Sequence, residues 1–251
     1  MPPEVRILGL DGIPEVQPGD DLVAVISKAL DESGLQIEEG DALVVTQKIV
    51  SKAEDRLVDL NTIEPSALAN TFAERWGKDA RMVEVVLRES VRVVRMERGV
   101  MITETRHGFV CANAGVDASN IPGEEIVCLL PVDSDASARK IREGLRERYG
   151  VAPAVIISDS FGRPWRKGIT NIAIGMAGMG AFADYRGQTD PWGHGLRVTI
   201  MAVADELASA AELVHGKTVG RPVALIRGYE LPPGDDRATD LVLEAEKDLF
   251  R

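Results

Sequence analysis

The chain has 251 residues, enough for one large domain or two small ones, and its 45% hydrophobic and 27% charged residues are the balance of a soluble globular protein. Aromatic residues make up only 4%, which argues against a stacking platform for single-stranded nucleic acid. A net charge of −11 repels nucleic acid and anionic membranes, so an anionic ligand needs a local cationic pocket or a metal, although acidity alone also serves solubility.

Strand and helix patterns alternate along the chain. Residues 5–10 read as a strand, followed by a Gly/Pro-rich loop, GIPEVQPGDD. Asp20 or Asp21 caps a helix from Leu22 to about Glu32 that stops near Gly34. DALVVT is a buried strand, and QKIVSKAE after it starts a helix. Pro65 fits the first turn of a helix ending at Gly77. RMVEVVLRES has helical spacing, and VRVVRM alternates as a half-exposed strand does. GVMITETRHGFVCANAG predicts a hairpin turning at His107–Gly108. DSDASARKIREGLRERYG is a helix with acid at its start, base at its end and Gly150 after it. VIISDSFGRPWRKG is a strand that turns at Gly162.

The Gly-rich stretch GITNIAIGMAGMGAFADYRG is compatible with a close-packed helix or with a strand and loop. TIMAVADELASAAELVHG reads as an apolar strand running into a helix that stops at Gly216, and RPVALIRG as another strand. The tail is polar with a short amphipathic end. Hairpins mixed with strand–helix units predict α+β layers with mixed sheets flanked by helices. Cys111 and Cys128 lack CxxC or Cys/His company, which points away from structural zinc and toward a reduced, cytoplasmic protein. The N-terminus is too short and charged for a secretion signal, and no apolar run approaches the roughly 18 residues of a membrane span.

No GxSxG, HExxH, GxGxxG or EF-hand pattern is present. HGKT at 215–218 imitates the end of a phosphate loop, but Ala211 stands where that loop's first glycine belongs, and the helix–strand order is reversed. Three polar clusters remain. VVTQKIVSK places Lys48 and Lys52 four residues apart at a helix start, which suits an anion cradle or a capped helix with solvated lysines. NAGVDASN offers Asp117 and Asn120 as oxygen ligands or as an Asx turn. SDSFGRPWRKG offers Asp159 and Ser160 to a hard divalent cation, with Arg163, Arg166 and Lys167 for carboxylate or phosphate; a surface loop fits it equally well. The three histidines carry no assigned catalytic role. Together the clusters fit metal-assisted phosphoryl chemistry better than a nucleophile triad.

Five ordered segments, GIPEVQPGDDL, GDALVVTQKIVSKAE, ETRHGFVCANAGVDASN, ISDSFGRPWRKGITNIAIG and the closing DLFR, resemble the gamma-glutamyl ligase family of coenzyme F-420 biosynthesis over essentially the whole chain. The resemblance implies a two-domain gamma-glutamyl ligase-like fold, a homodimer, and a GTP-dependent amide ligase that adds L-glutamate to F-420-0. It also implies Mg2+ or Mn2+ and a potassium ion, with no nucleic-acid or membrane partner. By similarity, nucleotide contacts fall on Ile13, Pro14, Glu15, Val16, Gln47, Lys48, Lys52 and Asn120, and on His215, Gly216, Lys217, Thr218, Val219, Gly220, Arg221 and Pro222. The divalent ions fall on Asp117, Asp159 and Ser160. Some relatives carry a metal-coordinating side chain where this chain has Lys217; a protonated lysine has no lone pair, so Lys217 is read as a phosphate contact. Residues 1–84 with 195–251 are expected as a discontinuous α/β domain, with 85–194 inserted as a middle domain. A metal-dependent nucleotide hydrolase or kinase, or a non-catalytic nucleotide- or deazaflavin-binding module, stays open as the alternative.

Overall fold

The computed structural model describes residues 3–248. It is an α+β structure whose strands form four sheets. In chain order the elements are β1 (Arg6–Gly9), α1 (Leu22–Ser33), β2 (Ala42–Thr46), α2 (Gln47–Ala53), β3 (Leu57–Asp59), α3 (Ala67–Trp76) and α4 (Ala80–Arg88). There follow β4 (Ser90–Glu97), β5 (Val100–Thr105), β6 (Val110–Ala112), β7 (Ile126–Cys128), α5 (Ser134–Tyr149), β8 (Ala154–Arg163) and β9 (Arg166–Ala177). The last are β10 (Ala183–Asp184), β11 (Ile200–Met201), α6 (Val203–His215) and β12 (Val223–Arg227).

Local chemistry sets many of these bounds. Asp21, not Asp20, caps α1 by accepting from the Val23 and Ala24 N–H groups at 2.9 and 3.3 Å, and Gly34 ends it in the left-handed conformation at φ +69. Pro65 lies outside α3 and not in its first turn, because Ser66 takes the cap by accepting from the Ala69 N–H. The Gly-rich stretch after Gly168 is the strand β9, and its small residues admit close neighbours: a Cβ at Gly175 would lie 2.5 Å from Ser134. The apolar strand before α6 is present but short, the two exposed residues Ile200–Met201. The hairpin at His107–Gly108 is present as β5–β6. The closing residues 249–251 lie outside the described residues.

The central sheet runs β1–β12–β2–β8–β9 and is mixed: β2 and β8 are parallel, and every other neighbouring pair is antiparallel. Residues 42–45 and 154–158 are buried without interruption, so both faces of the β2–β8 pair are covered. Helix α5 packs on β8 and β9, α6 packs across β1, β12 and β9, and α1 packs on α5. One hydrophobic core gathers these elements, from Leu10 to Ala238. A second, from Leu60 to Leu129, lies among α3, α4, the three-stranded sheet β4–β5–β6 and β7. Shared packing therefore groups α3 and α4 with Met101, Ala114, Val116, Val127 and Leu129, and β8, β9 and α5 with the central sheet. Among the described residues no helix is long and apolar enough to cross a membrane.

Sheet direction places the site. Strand β1 leaves the sheet at the same end as β2 and β8, and β12, antiparallel to both its neighbours, enters there. The loops after β1, β2 and β8 and the loop before β12 therefore meet at one sheet end, the carboxyl end of the parallel pair. That is where ligands of open α/β sheets are bound.

Candidate active site

A cleft of about 720 Å³ lies at this end of the sheet. It takes Ile13, Pro14 and Glu15 from the loop after β1, and Thr46, Gln47, Lys48 and Lys52 from the β2–α2 junction. Asp117, Ser119 and Asn120 come from the loop after β6, and Ser158, Asp159 and Ser160 from β8. His215, Gly216, Lys217, Thr218, Gly220, Arg221 and Pro222 come from the α6–β12 loop. Of the expected nucleotide contacts only Val16 and Val219 do not line it: Val16 is buried in the core, and Val219 is exposed with its side chain against Gly216. The three expected metal ligands, Asp117, Asp159 and Ser160, all line it.

The strand VIISDSFGR does not turn at Gly162. Strand β8 runs on to Arg163, Pro164 and Trp165 make a two-residue connection, and β9 returns from Arg166. Trp165 sits at φ +57, a conformation usually left to glycine. Arg163, Arg166 and Lys167 are exposed at this hairpin tip and do not line the cleft; Arg163 donates to the Lys167 carbonyl at 3.0 Å. Ile169, on the same arm, does line it.

Charges of both signs meet inside the cleft. Lys48 Nζ donates to Asp117 Oδ2 and, at 2.9 Å, to the Ser119 carbonyl. Asp117 also accepts from the Ser119 N–H at 2.8 Å and its hydroxyl at 2.6 Å, so the loop is an Asx turn and a cleft wall at once. Burial pushes the Asp117 carboxyl up, but Lys48 and Ser119 outweigh it and hold the group below its ordinary value. Asp159 goes the other way: burial pushes its carboxyl up to about 6, the nearby Asp117 charge adds to this, and the Ser160 N–H, Lys48 and Lys217 only partly offset it. Lys52 is 5% exposed, and its ammonium donates to Glu15. On the floor, Gln47 Nε2 and Ser158 Oγ are buried with no hydrogen-bond partner among the described residues.

Asn171 and Glu212 are among the cleft residues that escaped the sequence reading. Asn171 of β9 is the cross-strand partner of Ser160, whose hydroxyl donates to Asn171 Oδ1 at 2.7 Å. Glu212 of α6 accepts from Asn171 Nδ2 at 2.9 Å and pairs with Lys217 Nζ at 3.3 Å. A signal existed: Asp205, Ser209 and Glu212 recur at the spacing of one helical face in a helix otherwise made mainly of Ala, Val and Leu.

The doubly covered mixed sheet thus gathers carboxylates and lysines in one cleft at its loop end. Family comparison specifies it further: the profile described as F420-0:Gamma-glutamyl ligase matches residues 12–228, and the chain belongs to this family. It is 45% identical to the coenzyme F420:L-glutamate ligase of Methanopyrus kandleri, over 99% of this chain and 98% of that protein. It is 44% identical to the protein of the same name from Methanothermobacter thermautotrophicus, over 98% and 99%. The Methanocaldococcus jannaschii ligase is 44% identical over 86% of each chain.

Proposed function

We propose that the protein joins L-glutamate to coenzyme F-420-0 through a gamma-glutamyl amide bond, driven by GTP. Family membership supports the reaction. The observation that carries the mechanism is the meeting of Lys48, Lys52 and Lys217 with Asp117 and Asp159 in one cleft of a chain with net charge −11.

A carboxylate does not condense with an amine directly, because oxide is too poor a leaving group. An acceptor carboxylate oxygen would first attack the γ-phosphorus of GTP, giving an acyl phosphate and GDP. The glutamate amine would then attack the acyl carbon, inorganic phosphate would leave with the C–O bond electrons, and the amine would lose a proton. Positioning and charge carry such steps, so no protein nucleophile is needed.

Lys52 suits the triphosphate. Its buried ammonium is now paired with a half-exposed carboxylate, so replacing Glu15 by a phosphate oxygen leaves the buried charge compensated. Lys48 and Lys217 are further cations near enough to Asp159 to act on its charge, and would face the transferring phosphoryl group. Asp117, Asp159 and Ser160 would hold Mg2+ or Mn2+, which when bound supplies charge neutralisation between triphosphate and carboxylate. Their oxygens are the hard donors such ions take, and the half-buried Asp159 carboxyl, pushed up to about 6 by burial with the Asp117 charge adding to it, would gain from a bound cation. Among the described residues no three or more His, Cys, Asp or Glu side chains converge as a complete cage. The family resemblance adds a potassium ion and a homodimer to this reading. Arg163, Arg166 and Lys167 are proposed contacts for anionic ends of substrates extending beyond the cleft.

Incubation with GTP, Mg2+, L-glutamate and F-420-0, followed by mass spectrometry, tests the reading. A product heavier by one or more glutamyl units, with GDP released, is expected. GDP release without glutamate consumption would make the protein a hydrolase, and binding without turnover a binding module. Asp159→Ala should abolish ligation with the fold intact; wild-type turnover by that variant, in metal-depleted buffer with Mg2+ restored, would overturn the metal assignment.

A further inference from the structure

Asn171 and Glu212 have no role in the reaction as set out above, yet with Ser160 and Lys217 they close a ring of polar contacts inside the cleft. Ser160 Oγ donates to Asn171 Oδ1 at 2.7 Å, and Asn171 Nδ2 donates to Glu212 Oε2 at 2.9 Å. Lys217 Nζ lies 3.3 Å from Glu212 Oε1 and donates to Ser160 Oγ at 2.7 Å. All four side chains line the cleft.

Chemistry sets the direction around this ring. An ammonium only donates and a carboxylate only accepts. Glu212 therefore turns the Asn171 amide so that its NH2 faces the carboxylate and its carbonyl faces Ser160. The single Ser160 proton is thereby committed to Asn171. The hydroxyl cannot donate toward Asp159; it presents lone pairs, one accepting from Lys217 and one free.

The backbone supports the same arrangement. The β8–β9 pairing slips by one residue between Ile157 and Ser158, and this irregularity sets Asn171 opposite Ser160. Helix α6 then fastens β9 along one face. Asp205 accepts from the Ala173 N–H at 2.9 Å, the Ser209 hydroxyl donates to the Asn171 carbonyl at 2.6 Å, and Glu212 holds the Asn171 side chain. Asn171 is only 3% exposed.

We propose that Asn171 and Glu212 are positioning residues that act through Ser160. They hold its hydroxyl as a pure acceptor toward a divalent cation shared with Asp159, and they hold the Lys217 ammonium beside it. The proposal rests on reading the cleft as a divalent-cation site.

Mn2+ binding to the full chain without nucleotide, followed by the electron paramagnetic resonance signal of free Mn2+, tests it apart from turnover. Loss of an outer partner of a ligand typically weakens a metal by about 10–100-fold, and that range is expected for Asn171→Ala. Because Asn171 acts through Ser160, the double variant Ser160→Ala/Asn171→Ala should bind Mn2+ no more weakly than Ser160→Ala alone. Glu212→Gln, which cannot accept from both neighbours, should show the same dependence on Ser160 and carries the test if Asn171→Ala does not fold. Wild-type Mn2+ affinity in Asn171→Ala and Glu212→Gln, or losses that multiply with Ser160→Ala, would overturn the positioning role while leaving the cation site standing. Failure of the wild-type chain to bind Mn2+ would overturn the cation site and the proposal with it.

Discussion

His215 gives a stability prediction with a definite sign. It ends α6 at 1% exposure, and burial pushes its imidazole down from 6.5 to about 4. Glu212, 3.9 Å from Nδ1, and the Val44 backbone pull the other way, and Lys217 reinforces the drop. Between these two values the unfolded chain binds the proton and the folded chain does not, so stability rises with pH through the window. The contribution is fully present above 6.5 and is lost as pH falls toward 4. At about 1.4 kcal/mol per unit, the drop corresponds to about 3 kcal/mol. Asp159 titrates in an overlapping range with the opposite slope, because its folded value is raised. The quantity to measure is therefore the difference between wild type and His215→Leu, from urea unfolding at pH 7.5 and pH 4. The wild type should lose about 3 kcal/mol relative to the variant on going to the lower pH. A difference that is constant with pH, or that moves in the wild type's favour on acidification, would refute a buried, neutral His215.

Two further substitutions probe the frame behind the cleft. Gly175→Ala places a methyl group 2.5 Å from the Ser134 backbone and Cβ, where β9 meets the start of α5, and should cost about 1–3 kcal/mol of stability; an unchanged melting temperature would mean that α5 and β9 can separate freely. Asp135, 4% exposed, accepts from the Met176 N–H at 2.9 Å and the Ala238 N–H at 3.1 Å. Asp135→Ala should cost about 1–3 kcal/mol for each N–H left unpaired, with Asp135→Asn recovering part of the loss; equal denaturation midpoints for all three proteins would show that those groups find other acceptors.

Features governed by neighbours in the chain were legible before the fold was known. An aspartate cap at 20 or 21, the Gly34 and Gly150 stops and the His107–Gly108 hairpin depend on contacts within a few residues. Features governed by distant neighbours were not. The Gly-rich β9 reads as helix or strand until Ser134 and the β8 partner are placed against it. Gly162 looks like a turn, yet its cross-strand pairing with Ile169 carries the strand past it. In the cleft, Asp117, Asp159 and Lys48 stood out by residue type. Glu212 and Asn171 did not: an acid on a helix and an amide on a strand are ordinary until both are found around Ser160.

The amino-acid sequence by itself determined the parts: buried strands ending in carboxylate, hydroxyl and lysine, an acidic background of net charge −11, and five ordered segments that carry the family. Tertiary structure decided their company. Lys48 and Asp117 lie 69 residues apart in the chain, and Lys217 and Ser160 57 apart. Lys217 meets Ser160 because β12 enters the central sheet at the end where β8 leaves it, and Lys48 meets Asp117 because β6 packs against β8 and brings the loop after it to the β2–α2 junction. The protonation of Asp159 was decided the same way. Local sequence supplies the carboxyl, but burial and the Asp117 charge, both consequences of packing, push it up to about 6.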